Sequence, residues 1–395
     1  MVELLGKSKE ELRALCVALG EPAYRGGQIF HALYAERKFE FARMTNLPAT
    51  LRETLEKGAR ITRPEVKQRF VSSDGSVRYL LGLGDAEEGT FAAADTESGE
   101  SASGQKSERA KPAVAVEAVF MPSAGRRTIC ISTQAGCAVD CHFCLTAQLG
   151  LLRNLTAGEI VAQVLVALEA QEDKENPWGL KPGVRQTSSA MQTNVVLMGQ
   201  GEPLLNFEPV MAALGILLDP EGLGLSPKHV TLSTSGIVPG IERLAREQVR
   251  PKLAISLNAS NDKERDALMP INKKYPLKTL LAACKNYPLR PWEHLTFEYV
   301  MLGDVNDSPD DARRIVTLLA PLKRVKVNLI PWNPGELPYR ESSPERIEEF
   351  RRILTDKGVP TFVRYSRGRD VMAACGQLAT REVRRSPLTV LGNNL

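Results

Sequence analysis

Apolar and polar positions in the last two thirds of the chain follow two alternating patterns. Short apolar runs, typical of buried strands, alternate with longer segments whose apolar positions recur at helical spacing. With a first strand predicted at 128–133, the series makes six β/α repeats, which favour a parallel partial barrel over a sandwich. The other strands are predicted at 194–198, 229–233, 253–257, 295–300 and 325–330, and helices at 207–218, 238–247, 275–286, 308–320 and 343–357.

The first part of the chain has a different pattern, which predicts a small helical N-terminal domain over residues 1–62. Ser8 and Glu11 have the spacing of a capping box, so a first helix is expected to begin there. A second helix is predicted from Arg25 and a third after Pro48.

A β-hairpin extension is predicted next, because alternating residues flank an Asp74-Gly75 turn. Residues 84–112, rich in Ala, Ser, Gly and Glu, predict a disordered insertion, and a second loop insertion is predicted at 172–192. The predicted organisation is therefore an N-terminal domain, a hairpin extension, a barrel core and a tail, at residues 1–62, 63–122, 123–385 and 386–395.

Three cysteines follow the first barrel strand in one short loop, Cys137-x-x-x-Cys141-x-x-Cys144. Three thiolates can hold three irons of a [4Fe–4S] cluster and leave the fourth iron open to a small molecule. Such a cluster can cleave S-adenosylmethionine (SAM) reductively to a carbon radical. Structural zinc needs four closed ligands, and only His142 is near. The spacing favours the cluster over zinc, and over three merely buried thiols.

The cysteine pattern and the distribution of charge predict where the protein resides and which class of partner it binds. Seven cysteines, four of them within residues 130–144, do not form a disulfide framework and fit a reducing cytosol. The net charge is +4, but 48 basic against 40 acidic residues, or +8, remain outside 84–112. This bias suits RNA, or equally a solvated basic edge. No stretch approaches the ~18 apolar residues of a membrane span, so we expect a cytoplasmic protein without a membrane partner.

Polar segments follow four of the predicted strands at their carboxyl ends, where ligands gather in β/α barrels. In the segment around Gly201-Glu202-Pro203, glycines let backbone approach a ligand, and the carboxylate of Glu202 can pair with an α-amino group. Each segment can also be ordinary turn or cap chemistry, but four around one cysteine loop indicate a site. The other three are Ser233-Thr234-Ser235-Gly236, Ser256-Leu257-Asn258 and Pro331-Trp332-Asn333-Pro334.

Two further cysteines are candidates for chemistry. Cys130 lies seven residues before Cys137, and Cys375 lies in the small-residue stretch Ala-Ala-Cys-Gly-Gln-Leu. Because a free cysteine is most often a small buried hydrophobe, position alone leaves both interpretations open. Cys16 and Cys284 lie on apolar helical faces and are expected in the core.

These residues resemble the RlmN-type radical SAM methyltransferases, which methylate carbon 2 of adenosine in RNA. The resemblance covers nearly the whole chain except the two insertions, and the motif around Cys375, with a cysteine seven residues before the cluster loop, is highly specific. The matching motifs are Arg25-Gly26-Gly27-Gln28-Ile29, Met44-Thr45-Asn46-Leu47, Gly136-Cys137-Ala138, Arg153-Asn154-Leu155-Thr156, Gly201-Glu202-Pro203, Asn328-Leu329-Ile330-Pro331-Trp332-Asn333-Pro334 and Ala373-Ala374-Cys375-Gly376-Gln377-Leu378.

The resemblance implies a [4Fe–4S] cluster on Cys137, Cys141 and Cys144, and a mechanism that uses two SAM molecules. The first methylates Cys375. The second is cleaved to a 5′-deoxyadenosyl radical, which takes hydrogen from that methyl group so that the methylene radical adds to adenine. Cys130 then removes the ring proton, and the adduct is resolved by a disulfide with Cys375. A radical route is needed because carbon 2 is not nucleophilic.

The resemblance also implies a set of binding residues and partners. Two positions depart from the family: Asn258 stands where many members have histidine, and Gln200 replaces a frequent methionine. The N-terminal domain and the basic C-terminus would grip 23S ribosomal RNA and transfer RNA, and a flavodoxin or ferredoxin would deliver electrons to a monomeric enzyme. SAM contacts are implied at Gly201, Glu202, Ser233, Ser256, Leu257, Asn258 and Asn333, with Met198 lining the site and Glu117 near the target base.

Three alternatives stay open at this point. A related resistance enzyme methylates carbon 8 of the same adenosine, although Arg367-Gly368 and the full N-terminal domain favour carbon 2. A non-catalytic iron–sulfur RNA-binding module would not need Cys130 and Cys375. A radical SAM enzyme acting on a small metabolite is the third alternative, against which the basic surface argues.

Overall fold

A sheet of ten strands carries the architecture of this computed structural model, which describes residues 1–84, 114–170 and 192–378. Apart from Gly84 and Gln192, both predicted insertions lie outside the described residues, as does the tail at 386–395. The strands are β1 Val2–Glu3, β2 Ala59–Arg60, β3 Glu65–Val71, β4 Val77–Gly82, β5 Ala115–Ser123, β6 Arg126–Cys130, β7 Gln134–Gly136, β8 Leu151–Asn154, β9 Gln192–Leu197, β10 Val230–Thr234, β11 Lys252–Ser256, β12 Leu295–Met301, β13 Val325–Pro331 and β14 Thr361–Val363.

Ten α-helices accompany these strands in the described part of the chain. Three precede the sheet, and the other seven lie between successive parallel strands along the sequence. They are α1 Lys9–Ala18, α2 Tyr24–Tyr34, α3 Ala49–Gly58, α4 Ala157–Glu169, α5 Phe207–Leu218, α6 Val238–Leu244, α7 Asp262–Leu268, α8 Leu277–Asn286, α9 Pro309–Leu319 and α10 Pro344–Asp356. None of the described helices is both long and apolar enough to cross a membrane.

The order of strands across the large sheet is β14-β13-β12-β11-β10-β9-β6-β5-β4-β3. From β14 to β6 every neighbouring pair is parallel. Strands β5, β4 and β3 continue it as an antiparallel extension. The predicted fold class is confirmed: an α/β partial barrel with N-terminal helices and a β-hairpin extension. Its two edges, β14 and β3, do not pair with each other.

Four short elements of the barrel region were not predicted. Strand β14 adds a seventh parallel strand, and β7 pairs with β8 on either side of the cysteine loop. Helix α7 occupies only seven residues. Elements this short complete too few periods for a hydrophobic pattern to reveal them.

The N-terminal helices pack closely on one another and on the barrel. Ser8 and Glu11 form the predicted capping box at the start of α1. Helix α2 lies so near α1 that a Cβ on Gly26 would be 2.2 Å from the backbone nitrogen of Arg13. At the barrel, a Cβ on Gly6 would be 2.3 Å from the backbone nitrogen of Gly158 at the start of α4. The helical unit is therefore held through backbone-to-backbone contacts.

This packing makes two adjacent glycines of α2 respond in opposite ways to alanine. Gly26→Ala should lower the free energy of unfolding by about 2 kcal/mol or more, because its methyl group cannot fit against α1. Gly27→Ala is the matched control, since its Cβ would have no neighbour within 4 Å. It should raise stability by about 0.5–1 kcal/mol through helix propensity. Urea unfolding of both variants tests this, and equal midpoints would contradict the packing.

Candidate active site

A cavity of about 760 Å³ occupies the interior of the partial barrel. Its walls are alternate residues of the parallel strands, the cysteine loop and the segment 363–378. Of the fourteen residues proposed from the sequence, Leu257 and Glu117 do not line it among the described residues. The twelve that do are Cys130, Cys137, Cys141, Cys144, Met198, Gly201, Glu202, Ser233, Ser256, Asn258, Asn333 and Cys375.

The cysteine loop is fixed at its base by strands β7 and β8. Gly136 has a φ of +75°, and a Cβ there would overlap the carbonyl oxygen of Gly150. The N–H of Cys137 donates to that same carbonyl at 2.9 Å, and the N–H of His142 donates to Leu268 at 3.0 Å. Five buried apolar residues pack around Cys141 and Cys144: Phe143, Leu268, Met269, Leu302 and Trp332.

The donor set of this loop fits an iron–sulfur cluster. Burial raises the pKa of Cys137 to about 12, and it also raises the pKa values of Cys141 and Cys144. Buried thiols of this kind become thiolates only beside a positive centre such as a metal cluster. Three cysteines that bind three different irons also need not converge on one point.

A zinc site fits this loop less well. The side chain of His142 is 47% exposed, and its Nε2 lies 3.9 Å from a carboxylate oxygen of Asp140. It does not line the cavity, so it is not placed as a fourth ligand. Across residues 1–84, 114–170 and 192–378, no three His, Cys, Asp or Glu side chains are grouped to hold a single metal ion.

Glu202 presents a fixed carboxylate at the carboxyl end of β9. One of its oxygens accepts the N–H and the hydroxyl of Ser235 at 2.7 and 2.8 Å, and the other accepts the N–H of Leu204 at 3.0 Å. Burial raises the pKa of Glu202, and these hydrogen bonds oppose that shift. Gly201 has a φ of +95°, and a Cβ there would lie 2.5 Å from the Cβ of Gln134. Glycine is therefore required for this close approach.

The backbone conformation at position 258 favours asparagine. Its φ is +56°, in the left-handed region where asparagine and histidine are both enriched among non-glycine residues. Its side-chain oxygen accepts the N–H of Val300 at 2.9 Å, and its carbonyl accepts the amide of Asn306 at 2.8 Å. Leu257 beside it is fully buried in the core, and its carbonyl accepts Nε of Arg265 at 3.0 Å. Asparagine is therefore compatible with this turn.

Cys375 is carried by a segment bonded to the cysteine loop. The N–H of Leu145 donates to the carbonyl of Gly376 at 2.8 Å, and the hydroxyl of Thr146 donates to that of Leu378 at 2.6 Å. The amide of Asn333 reaches the carbonyl of Cys375 at 3.4 Å. These hydrogen bonds therefore hold the cysteine loop and the Cys375 segment together.

Cys130 and Cys375 open onto the same cavity as free thiols. Cys375 is exposed on its cavity side and enclosed by protein elsewhere, and burial raises the pKa of each thiol to about 12. Cys130 packs with Ala373 and Leu378, which flank Cys375. The described residues contain no disulfide between them.

The turn of the β-hairpin extension holds the same segment from the other side. The carboxylate of Asp370 accepts the hydroxyl of Ser72 and the N–H of Ser73, the latter at 3.0 Å. The carboxylate of Asp74 accepts the N–H of Gly368 at 3.1 Å. Sequence analysis missed these contacts, because nothing local in the chain links residues almost 300 positions apart.

Glu117 lies in a buried ion pair with Arg78 rather than on the cavity wall. Its N–H donates to the side-chain oxygen of Gln200 at 3.3 Å, and its carbonyl accepts the hydroxyl of Ser132 at 2.6 Å. Gln200, the second departure from the family pattern, is itself fully buried. It therefore joins β5 to the loop that precedes Glu202.

The amino ends of the barrel strands contribute polar residues that sequence analysis missed. A packed barrel interior is filled mainly by Val, Ile and Leu. Here the inward positions include Lys252, Thr296, Glu298, Lys326 and Asn328. The available signal was two polar residues at alternate positions of each of these strands: Lys252 and Ser256 in β11, Thr296 and Glu298 in β12, and Lys326 and Asn328 in β13.

Comparison with known proteins agrees with this arrangement. The family described as "Ribosomal RNA large subunit methyltransferase N-terminal domain" matches residues 2–61. A protein of Koribacter versatilis named "Probable dual-specificity RNA methyltransferase RlmN" is 47% identical over 369 residues, which are 92% of this chain and 98% of the relative. The "Dual-specificity RNA methyltransferase RlmN" of Cereibacter sphaeroides is 42% identical over 394 residues, covering 98% of this chain and 92% of the relative.

A solved structure extends the similarity to the fold. The crystal structure of a radical SAM methyltransferase from Sphaerobacter thermophilus superimposes with a TM-score of 0.80 at 38% identity, covering 96% of this chain and 99% of that one. Because this sequence identity extends over nearly the full length of both chains, the similarity includes the parts of the protein outside the barrel. The chain belongs to the RlmN family of radical SAM RNA methyltransferases.

Proposed function

We propose that this protein methylates carbon 2 of an adenosine in 23S ribosomal RNA, and an adenosine of some transfer RNAs, through a methyl group carried on Cys375. The observation that carries the proposal is that Cys375 and Cys130 open onto one cavity with the three loop cysteines and Glu202. A non-catalytic module would have no use for two further thiols at that place.

The proposed cofactors are a [4Fe–4S] cluster and SAM. When bound by Cys137, Cys141 and Cys144, the cluster supplies the electron that cleaves SAM to a carbon radical. The buried carboxylate of Glu202 pairs with the amino group of SAM. Gly201 lets backbone approach the ligand, and the remaining contacts come from Ser233, Ser256, Leu257, Asn258 and Asn333, with Met198 at the wall.

The two cysteines have complementary roles in this proposal. Cys375 accepts a methyl group by displacement and later presents it to the adenine ring. Cys130 takes the proton from the ring carbon, and the adduct radical gives one electron back to the electron-transfer chain that supplied it. The sulfur of Cys130 then bonds to that of Cys375, which breaks the bond between that sulfur and the transferred carbon. The carbon takes up a proton and leaves as the methyl group of the product base. Their shared cavity supports this pairing, as does the packing of Cys130 against Ala373 and Leu378, which lie on either side of Cys375 in the chain.

The proposed domains and partners follow from the same assignment. Residues 1–62 form an RNA-binding domain, 63–122 the hairpin extension and 123–385 the radical SAM core. A flavodoxin or ferredoxin delivers electrons to a monomeric enzyme in the cytoplasm. The family match over residues 2–61 supports a role for the first unit in binding ribosomal RNA.

Mass spectrometry of nucleosides tests the reaction. After anaerobic incubation of reconstituted protein with ribosomal RNA, SAM and a reductant, we expect 2-methyladenosine. Cys375→Ala should abolish it because the methyl carrier is gone, and Cys130→Ala should lower product release by about 100-fold or more because a general base is lost. Cys284→Ala, at a buried position of α8, is the matched control and should retain activity.

Two results would contradict this proposal. Formation of 8-methyladenosine would move the protein to carbon 8 chemistry. Full activity of Cys375→Ala would show that the methyl group travels by another path.

Glu117 has a proposed place near the target base, and its ion pair allows structure and catalysis to be separated. Glu117→Gln alone should lower the free energy of unfolding by about 3–5 kcal/mol, because the buried Arg78 loses its counter-charge. The double variant Arg78→Met with Glu117→Gln should recover much of that stability. Thermal unfolding measures the first effect, and methylation of RNA by the double variant measures the second.

Methylation by the double variant shows whether Glu117 acts in catalysis or only in stability. If Glu117 acts near the base, methylation stays low after stability is restored. Recovery of activity together with stability would reduce Glu117 to a structural residue.

A further inference from the structure

The cavity continues past the cysteine site to the amino ends of the strands, and its charge changes along the way. Six lysine and arginine side chains line it, against two carboxylates, Glu202 and Glu298. Four of the basic residues stand at the beginnings of strands or just before them: Arg126 at β6, Lys228 before β10, Lys252 at β11 and Lys326 at β13. The other two are Arg364 and Arg367.

Several of these cations face one another rather than an acid. Burial lowers the pKa of Lys252, and the charge of Lys326 lowers it further. Burial likewise lowers the pKa of Lys326, with Arg364 as the next cause. Glu293 and Glu298 are the acids within electrostatic reach of the two lysines.

Glu293 is already paired with Arg290 at 2.9 Å. Glu298 accepts the amide of Asn328 at 2.9 Å but keeps its charge, which acts on Lys326 and Arg364 together. Within the described part of the chain, neither Lys252 nor Lys326 forms an ion pair with an acid. Six basic groups against two carboxylates leave an excess of positive charge in the cavity, which indicates that an anion from outside the chain belongs there.

Exposed aromatic side chains stand beside this charge. The ammonium of Lys228 lies 5.4 Å from the ring centre of Trp292, which is 36% exposed. Tyr365, which also lines the cavity, is 65% exposed, and the guanidinium of Arg364 lies 5.5 Å from the exposed ring of Phe362. Basic groups beside exposed aromatic rings are typical of surfaces that bind single-stranded nucleic acid.

The depth of the cavity suits a single nucleotide. Ser256 lies four positions after Lys252 along β11, a rise of about 13 Å. A nucleotide flipped out of its helix would place its phosphate at the amino end and its base toward the cysteines. Free phosphate or a small anion would use only the first of these features.

We propose that Lys252 and Lys326 bind the RNA phosphodiester next to the target adenosine, which makes the amino end of the barrel the entrance for the flipped nucleotide. This inference rests on the proposed function, since it takes RNA as the substrate. Lys228 and Trp292 at the rim extend the contact to the neighbouring nucleotide.

Binding of an RNA stem-loop with an unpaired adenosine tests the assignment. Fluorescence anisotropy of the reconstituted enzyme, measured over a series of salt concentrations, gives the affinity and its salt slope. The double variant Lys252→Gln with Lys326→Gln should bind at least about 10-fold more weakly, and its slope should fall by about 1.4, or ~0.7 for each single-strand phosphate contact. The control double variant, Lys278→Gln with Lys285→Gln on exposed positions of α8, should change neither.

Stability distinguishes this role from a structural one. Because the lysines repel each other, the glutamine variant should unfold at the same temperature as the wild type or higher. Lys252→Arg with Lys326→Arg should restore binding, since the charge is kept. A variant that unfolds earlier, or an arginine pair that does not rescue, would overturn the assignment.

The remaining outcomes separate this inference from the proposed function. If the wild type methylates the RNA, and the glutamine variant binds it with unchanged affinity and an unchanged salt slope, only the phosphate assignment is overturned. If the glutamine variant binds RNA more weakly but the wild type does not methylate that RNA, the phosphate site is supported and the proposed methylation reaction is not. Inorganic phosphate that binds to the lysines as tightly as the RNA does, at constant ionic strength, would overturn the assignment to an RNA backbone.

Discussion

The open edge of the sheet is the constraint on which the rest of the structure depends. Because the parallel strands stop at β14, the segment 364–378 crosses from that edge to the β-hairpin extension. The guanidinium of Arg367 reaches the carbonyl of Pro122, and Asp370 is held by the turn that contains Ser72. A closed barrel would have no gap for this segment to span. The open edge therefore gives Cys375 its place over the interior.

Sequence pattern predicted the regular elements well, because their periods are long enough to read. All six predicted barrel strands and the helices between them are present, and the capping box at Ser8 is formed. It did not predict β14, with its three residues, or the contact between Ser72 and Asp370. Such contacts are decided by which elements become neighbours in space. They leave no periodic trace in the chain.

The same limit applies within the candidate site. Twelve of the fourteen proposed residues share one cavity, because strand ends and loop motifs can be located in a sequence. Glu117 could be placed near that end of the sheet, but its partner Arg78 lies on another strand and could not be foreseen. Motifs at the carboxyl ends of strands do not reveal the inward positions nearer the amino ends, such as Lys326, where polar residues replace the usual apolar barrel core.

The connection between β4 and β5 has a practical consequence. It joins Gly82 to Ala115, at the opposite end of β4 from the turn that holds Gly368 and Asp370. The strand pairing and the hydrogen bonds that hold the Cys375 segment are made by described residues outside this connection. A fluorophore or affinity handle inserted into the connection would therefore leave those contacts in place.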